Sequence, residues 1–206
     1  AEDATGDRVI NWESIKDDCE PIPQGHLILP IPNRTDQFIL FTTDVKWVGG
    51  EGVVGVTELS MSILKIKSGK RVEVISGKQQ VQLDTFDYGK ISACKHANGR
   101  DWWVICHKLN SNKFFKLLIT PAAILGPYTQ DLGNVRVAGA GESWFSPNGE
   151  FYAHYWKNGA GIGNLEIFTF DRCNGSFSNP ISIGVPFENG TQVGLAFSPN
   201  SQVLYV

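Results

Sequence analysis

The chain has 206 residues, of which 42% are hydrophobic and 19% charged, with 18 lysines and arginines against 21 aspartates and glutamates. A high apolar content with a small net charge excludes a disordered chain. The lack of a basic excess argues against a nucleic-acid-binding protein. No apolar run approaches the roughly 18 residues that a membrane-spanning helix requires. These figures predict one folded domain, or a part of one, with a sizeable core.

Residues 1–24 are polar and irregular, with an acidic cluster at positions 17, 18 and 20 followed by Pro21 and Pro23. We predict a leading segment here, ahead of the first regular element. A short strand over residues 8–12, belonging to an adjoining structural unit, is the alternative for part of it.

From Gly25 onward, short apolar runs alternate with turn residues, which predicts strands rather than helices. The first block has predicted strands at residues 26–31, 37–42, 62–67 and 71–76. The second block has them at residues 90–96, 102–107 and 114–120. The third has them at 140–145, 151–156, 165–170 and 177–183, and a fourth block opens at 193–197.

These blocks are copies of one another. The sequence Phe-Ser-Pro-Asn occurs at 145–148 and again at 197–200, and related turns contain Asn33 and Asn98. A repeat of about 40–50 residues built from four short strands is typical of a β-propeller blade. We therefore predict an all-β chain with three four-stranded blades, at about residues 25–80, 89–135 and 140–187, and part of a fourth at 193–206.

Several of these motifs point to a family. The stretch 95–103 with 110–114, the turns at 145–149 and 197–201, and the stretch 170–175 resemble blades of the WD40-like, YVTN-type propellers. Such propellers occur on exported surface proteins of gliding-type bacteria. The resemblance covers residues 25–206 and implies a propeller fold, an extracellular or cell-surface location and a structural or binding role. The Gly-His and Trp-Asp pairs of eukaryotic WD40 repeats do not recur here.

Three and a half blades cannot close a ring, because propellers contain at least about four. We expect the chain to be a segment of a larger propeller, and a second chain that completes the ring is the alternative. The incomplete fourth block would also leave an unpaired strand edge, which favours pairing with another chain.

Four histidines are the obvious candidate metal ligands. His26 and His96 fall near the first strands of successive blades, so both could line a central channel and hold a metal. A third ligand at a matching repeat position is missing, and we therefore predict no metal and no cofactor. For His107 and His154, which lie among aromatic residues, packing with one hydrogen bond is the favoured interpretation.

The remaining motifs favour structural roles. The glycine-rich stretch 159–163 precedes a predicted strand rather than the helix that phosphate binding requires, which indicates a loop. Residues 171–175 lack the alternating oxygen ligands of a calcium loop and predict a hairpin turn. The aromatic side chains could form a sugar-stacking surface, but alternation favours the core for this group, which comprises Trp102, Trp103, Tyr152, Tyr155 and Trp156.

The four cysteines are Cys19, Cys94, Cys106 and Cys173. They permit three disulfide pairings, and their spacing does not choose among them. Cys94 and Cys106 flank a predicted hairpin, but buried free thiols are the favoured interpretation.

The sequence therefore favours a non-catalytic propeller module that binds a protein or glycan on an exported bacterial protein, and not an enzyme. One alternative is a propeller hydrolase or lactonase with a channel metal near His26 and His96. Another is a subunit of an extracellular filament or sheath that assembles through open blade edges.

Overall fold

The structure is a computed structural model that describes residues 1–15, 22, 24–47, 54–87, 89–137, 139, 141–157, 162–186 and 194–206. Blade 1 consists of β1 (His26–Pro30), β2 (Gln37–Trp47), β3 (Val54–Ile66) and β4 (Val72–Phe86). Blade 2 consists of β5 (Ser92–Lys95), β6 (Trp102–His107), β7 (Ser111–Ile119) and β8 (Ile124–Arg136). Blade 3 consists of β9 (Ser143–Phe145), β10 (Phe151–Lys157), β11 (Ile162–Asp171) and β12 (Ser176–Pro186), and β13 (Ala196–Phe197) with β14 (Leu204–Tyr205) forms a partial blade.

Each blade is an antiparallel sheet whose four strands follow one another in sequence order. The partial blade contributes a two-stranded sheet. The prediction of an all-β propeller with three complete blades and part of a fourth is therefore confirmed. The described sheets do not close into a ring. No helix among the described residues has the length and apolar character to cross a bilayer.

Strand alternation explains how each blade buries both of its faces. In β6, Trp103 and Ile105 belong to the apolar cluster shared with blade 3, whereas Val104 and Cys106 belong to the cluster shared with blade 1. Because successive side chains of a strand point to opposite faces, one strand supplies both cores. Blades 2 and 3 meet through aromatic rings, among them Phe114 and Phe177, which are stacked at 4.3 Å between centroids.

The same alternation of side chains along the strands determines which apolar cluster each buried cysteine belongs to. Cys94 packs in the cluster between blades 2 and 3, and Cys106 packs in the cluster between blades 1 and 2. Both are free, as is the exposed Cys173, while Cys19 lies outside the described residues. Burial raises the pKa of each of the two buried thiols to about 12. They are therefore unreactive core side chains, as the sequence favoured.

The asparagine turns are built alike. The Ser146 hydroxyl donates to Asn148 Oδ1 at 2.7 Å, and the Ser198 hydroxyl donates to Asn200 Oδ1 at 2.7 Å. Each serine oxygen also accepts a backbone N–H from the start of the following segment, at Phe151 and Val203. The repeated sequence therefore encodes a repeated hydrogen-bonded turn.

The leading segment is irregular over residues 1–15 and lacks the short strand that was the alternative for part of it. Residues 8–12 do not form a strand; Ile10 makes an isolated parallel bridge to Glu73, and Trp12–Ser14 is a 3₁₀ turn. Asn11 adopts a left-handed conformation with φ of 60°, which ends the extended backbone. The apolar side chains of Val9 and Ile15 pack on the face of blade 1 that points away from blade 2.

Strand β8 was missed in the sequence. It contains Gly126, Pro127 and a polar run, which read as a turn rather than as a strand. Because β8 is the outermost strand of blade 2, proline is tolerated there on a free edge.

Candidate functional site

The first strands of the three blades, β1, β5 and β9, lie side by side and line a cavity of about 500 Å³. The first strand of a blade is its innermost strand, so the cavity lies on the channel side of the propeller. Its polar lining includes His26, Lys95 and Arg172, and its aromatic lining includes Trp102 and Trp144.

Lys95 is one of two cationic residues that line this cavity, the other being Arg172. Its Nζ atom lies 3.8 Å from the centroid of the Trp102 ring and 3.3 Å from the Arg100 carbonyl oxygen, to which it donates. Partial burial lowers the pKa of Lys95, and the negative charge of Asp101 opposes this effect. The ammonium is thus held over an indole face by a cation–π contact, at the cavity wall.

The two histidines considered as a metal pair are placed differently. His26 is exposed at the beginning of β1 and lines the cavity. His96 does not line it, because its Nδ1 accepts the Asn98 N–H at 3.0 Å and its Nε2 lies 2.9 Å from the Cys173 carbonyl oxygen. An accepting Nδ1 leaves the proton on Nε2, which therefore donates to that carbonyl. Both ring nitrogens of His96 are engaged in the structure.

Two polar side chains fix the walls of the cavity. The Gln24 amide donates to the Ser143 carbonyl at 2.9 Å and its oxygen accepts the Ser143 N–H at 2.8 Å, which ties blade 1 to blade 3. Arg172 of blade 3 donates from Nε to the Lys95 carbonyl at 2.9 Å and from Nη1 to the Asn148 carbonyl at 2.6 Å. These bonds hold the first strands at a fixed separation.

Trp144 forms a ridge between this cavity and a second one of about 280 Å³. Its indole N–H donates to Glu142 Oε2 at 3.0 Å, and the same oxygen accepts the Leu195 N–H at 3.0 Å. The ring is therefore held by the backbone of the partial blade. Every residue lining the second cavity is apolar: Trp144, Phe145, Pro147, Leu195, Ala196 and Phe197.

A separate polar cluster is buried between blades 2 and 3. Lys90 Nζ lies 2.6 Å from Asp87 Oδ2 and donates to the Gly139 carbonyl at 2.9 Å. Arg136 Nη2 lies 3.3 Å from Glu166 Oε2. The side chains of all four charged residues are at most 1% exposed, and two cations balance two carboxylates. Such pairing is what makes buried charges tolerable.

Two imidazoles complete this cluster. The rings of His107 and His154 are 4.1 Å apart, and His107 Nε2 lies 3.2 Å from the Tyr152 hydroxyl. Burial, together with the charges of Arg136 and Lys90, holds the pKa of His107 well below its ordinary value. Burial, followed by His107 and the same two cations, lowers the pKa of His154 likewise. Both rings are neutral at pH 7, and the ring nitrogens of His154 have no hydrogen-bond partner among the described residues.

The cluster also contains atoms that metals prefer. Ligand atoms of Asp87, His107 and His154 lie within 4.8 Å of one another. However, the Lys90 ammonium already lies against the Asp87 carboxylate and supplies the positive charge there. We therefore interpret the cluster as an internally balanced ionic core between two blades.

The other sequence motifs are placed as follows. Residues 171–175 form the hairpin turn between β11 and β12, as predicted. Residues 158–161 lie outside the described part of the chain, so the glycine-rich stretch is described only at its end. Of the aromatic group considered for sugar stacking, Trp102 is half-buried at the cavity and the others are buried: Trp103, Tyr152, Tyr155 and Trp156.

The residues that are most important for the cavity and for the buried ionic cluster were not predicted from the sequence. Lys95, Gln24 and Trp144 come together only because three first strands converge, and nothing in their spacing signals this. Asp87 and Lys90 stand in a connection between blades, where charged residues are ordinarily exposed.

No protein-family model matches the chain, and no curated protein matches it by sequence. Among solved structures, it is similar to two proteins provisionally assigned as 6-phosphogluconolactonases. The one from Bacteroides uniformis ATCC 8492 is 12% identical with a TM-score of 0.41, and the match covers 87% of this chain and 59% of that one. The one from Bacteroides fragilis NCTC 9343 is 10% identical with a TM-score of 0.33, and the match covers 87% of this chain and 72% of that one.

These neighbours correct two expectations from the sequence. The sequence favoured a non-catalytic module and a chain that is not an enzyme, whereas both neighbours carry the names of lactone-hydrolysing enzymes. Both expectations are withdrawn, and the two neighbours by themselves assign no reaction to this chain. At this level of similarity, the likeness concerns the fold, and the reaction is a matter for the cavity itself.

Proposed function

We propose that this chain contributes the substrate pocket of a hydrolase that opens lactone rings. The observation that carries the proposal is the cavity between β1, β5 and β9, where an imidazole, an ammonium and two indole rings line one space of about 500 Å³. This volume lies within the range of small-molecule sites, and the mixture of apolar walls with few polar groups is their usual composition.

The chemistry follows from these groups. Lactone hydrolysis adds a water oxygen to the ring carbonyl carbon, and the ring C–O bond then breaks. His26 accepts the proton of the attacking water and returns it to the departing ring oxygen. Lys95 stabilises the negative charge that develops on the carbonyl oxygen, and the indole rings contact the apolar faces of the substrate.

This proposal differs from the channel-metal version raised by the sequence. That version needed His26 and His96 together, and both ring nitrogens of His96 are engaged in hydrogen bonds away from the cavity. We therefore assign the base to His26 alone, with no step through a metal.

The test is hydrolysis of γ-butyrolactone, followed by acid release in a pH-stat. We expect the wild-type protein to hydrolyse the lactone faster than buffer alone does. In His26→Gln this rate should fall by about 100-fold, which is the usual effect of losing a general base. Lys95→Gln should lose a similar factor, because it removes charge stabilisation in the transition state. Lys67→Gln, which breaks a surface pair with Glu73 on blade 1, is the matched control. A wild-type rate equal to buffer, or a fully active His26→Gln variant, would overturn the proposal.

We also propose that the blades belong to the WD40-like, YVTN-type repeats of exported bacterial proteins. The identical serine–asparagine hydrogen bonds in the turns at 146–148 and 198–200 support this. Protease treatment of intact cells of the source bacterium tests the location: an exported protein is degraded, and one protected until lysis would contradict export.

A further inference from the structure

The ridge formed by Trp144 separates two cavities of different chemistry. The larger holds His26 and Lys95, the groups assigned above to water activation and charge stabilisation. The smaller, of about 280 Å³, is lined by Trp144, Phe145, Pro147, Leu195, Ala196 and Phe197. Trp144, Phe145 and Pro147 line both, so the two cavities are neighbours on the channel side.

An apolar cavity next to a polar one favours the binding of a molecule that has one apolar part and one polar part. A ligand that is polar throughout would leave its hydroxyl groups without hydrogen-bond partners against Leu195, Ala196 and Phe197, which carries a desolvation cost. An alkyl or acyl group in the same place instead removes apolar surface from water on both sides. The Trp144 N–H donates to Glu142, and this hydrogen bond favours the ring position that separates the two cavities.

We propose that the substrate is a lactone that carries an apolar side chain, with the lactone ring in the larger cavity and the side chain across Trp144 in the smaller one. This inference rests on the proposed lactonase function and adds the substrate class. The second cavity is thus a specificity subsite for an alkyl or acyl group.

The experiment compares γ-lactones whose ring substituent grows from hydrogen to heptyl. We expect kcat/KM to rise about three- to fourfold per added methylene until the smaller cavity is filled. In Ala196→Trp, a new indole occupies that cavity, and the ratio of kcat/KM between the heptyl and the unsubstituted lactone should fall to near one. Val203→Trp is the matched control, since Val203 is exposed beside the same two-stranded sheet and lines neither cavity. It should keep the wild-type ratio, and circular dichroism confirms that both variants fold.

The two proposals fail in different ways. If wild-type protein hydrolyses the unsubstituted lactone and all longer ones at one rate, or if Ala196→Trp keeps the wild-type ratio, the apolar subsite is overturned and the lactonase stands. If no lactone is hydrolysed, the lactonase proposal fails, and the subsite is then decided by calorimetry with non-hydrolysable lactams. Tighter binding of the heptyl lactam than of 2-pyrrolidinone, lost in Ala196→Trp, supports the subsite, and equal binding of the two lactams overturns it.

Discussion

The buried rings of His107 and His154 lie between two cations and two carboxylates at the contact of blades 2 and 3. Burial, followed by the charges of Lys90 and Arg136, lowers the pKa of both rings, and Asp87 Oδ2 lies 3.6 Å from His154 Nε2. Because the rings are neutral, this last contact is not an ion pair. The interface is therefore more stable with both histidines unprotonated than with either one protonated.

We predict that the free energy of unfolding falls as the pH drops below about 6.5, the ordinary histidine pKa. The folded pKa of each ring is lower than that value, so the unfolded chain binds more protons. The two neutral histidines make their full contribution to the free energy of unfolding above about pH 6.5. This contribution is lost as the pH falls from that value toward the pKa values of the histidines in the folded state. The free energy of unfolding changes with pH by at most about 1.4 kcal/mol per pH unit for each histidine.

Urea unfolding between pH 7.5 and 5.0 measures this slope. In His107→Phe, one titrating group is gone, and the slope should be about half that of the wild type. An unfolding free energy that stays constant over this range in the wild type would contradict the neutral-histidine interpretation.

Arg172 of blade 3 forms hydrogen bonds with the backbone of blade 2. It donates to the carbonyls of Lys95, His96 and Asn148, and so joins the hairpin turn of blade 3 to blade 2. We predict that Arg172→Ala lowers the free energy of unfolding by about 2 kcal/mol, the scale of lost hydrogen bonds to a charged group. Arg8→Ala removes only an exposed pair with Glu13 and should change it by less than about 0.5 kcal/mol. Equal losses in the free energy of unfolding of the two variants, measured by urea unfolding, would show that the hydrogen bonds of Arg172 do not stabilise the contact between blades 2 and 3.

Among the elements, the leading segment has the clearest structural role. Its backbone adds to the outer strand of blade 1, with Ile10 N–H donating to Val72 and Val74 N–H donating to Ile10. Its side chains cover Leu40 and Leu64 on a face that no other described blade covers. Among the described residues it therefore forms a cap over this face of blade 1.

We predict that Ile15→Ala lowers the free energy of unfolding by about 2–3 kcal/mol, because Ile15 is 5% exposed within this cap. Ile10→Ala is the matched control: Ile10 is 38% exposed and its backbone bonds do not depend on the side chain. Thermal or urea unfolding compares the two. A loss in Ile10→Ala as large as that in Ile15→Ala would mean that the segment is not held by apolar burial.

The elements also show what the sequence could predict. The repeated asparagine turns and the alternating strands such as β6 and β10 predicted the blades, because turn chemistry and period-two patterning are local. Strand β8 and the left-handed Asn11 were missed because edge position and tertiary packing override local preference there. The cavity was missed for a similar reason: Gln24, Lys95 and Trp144 belong to different blades, and only the assembled sheet places them together.

On the scale of the whole molecule, the partial blade differs from the other described sheets in having two strands instead of four. Val203 and Tyr205 are 47% and 60% exposed, and β13 pairs with only one described strand. We propose that a further part of the same propeller, or a second chain, covers this edge, because unpaired strands readily pair with another chain.

We therefore predict that the isolated 206-residue chain self-associates. Light scattering should give a mass above 22.7 kDa that rises with concentration. Tyr205→Lys should shift the mass toward the monomer, whereas Ile66→Lys, at an exposed position at the end of β3, should not. A constant mass of 22.7 kDa at all concentrations would show that the edge needs no partner.

The most direct measurement concerns the cavity between the first strands. The chain has six tryptophans, and their indole N–H signals can be followed by NMR during titration with the heptyl lactam. We predict that the signals of Trp102 and Trp144 shift, because these rings line the cavity, and that those of Trp12 and Trp156 stay in place. Shifts confined to Trp12 or Trp156, or no shift at a saturating concentration, would contradict a substrate pocket on the channel side.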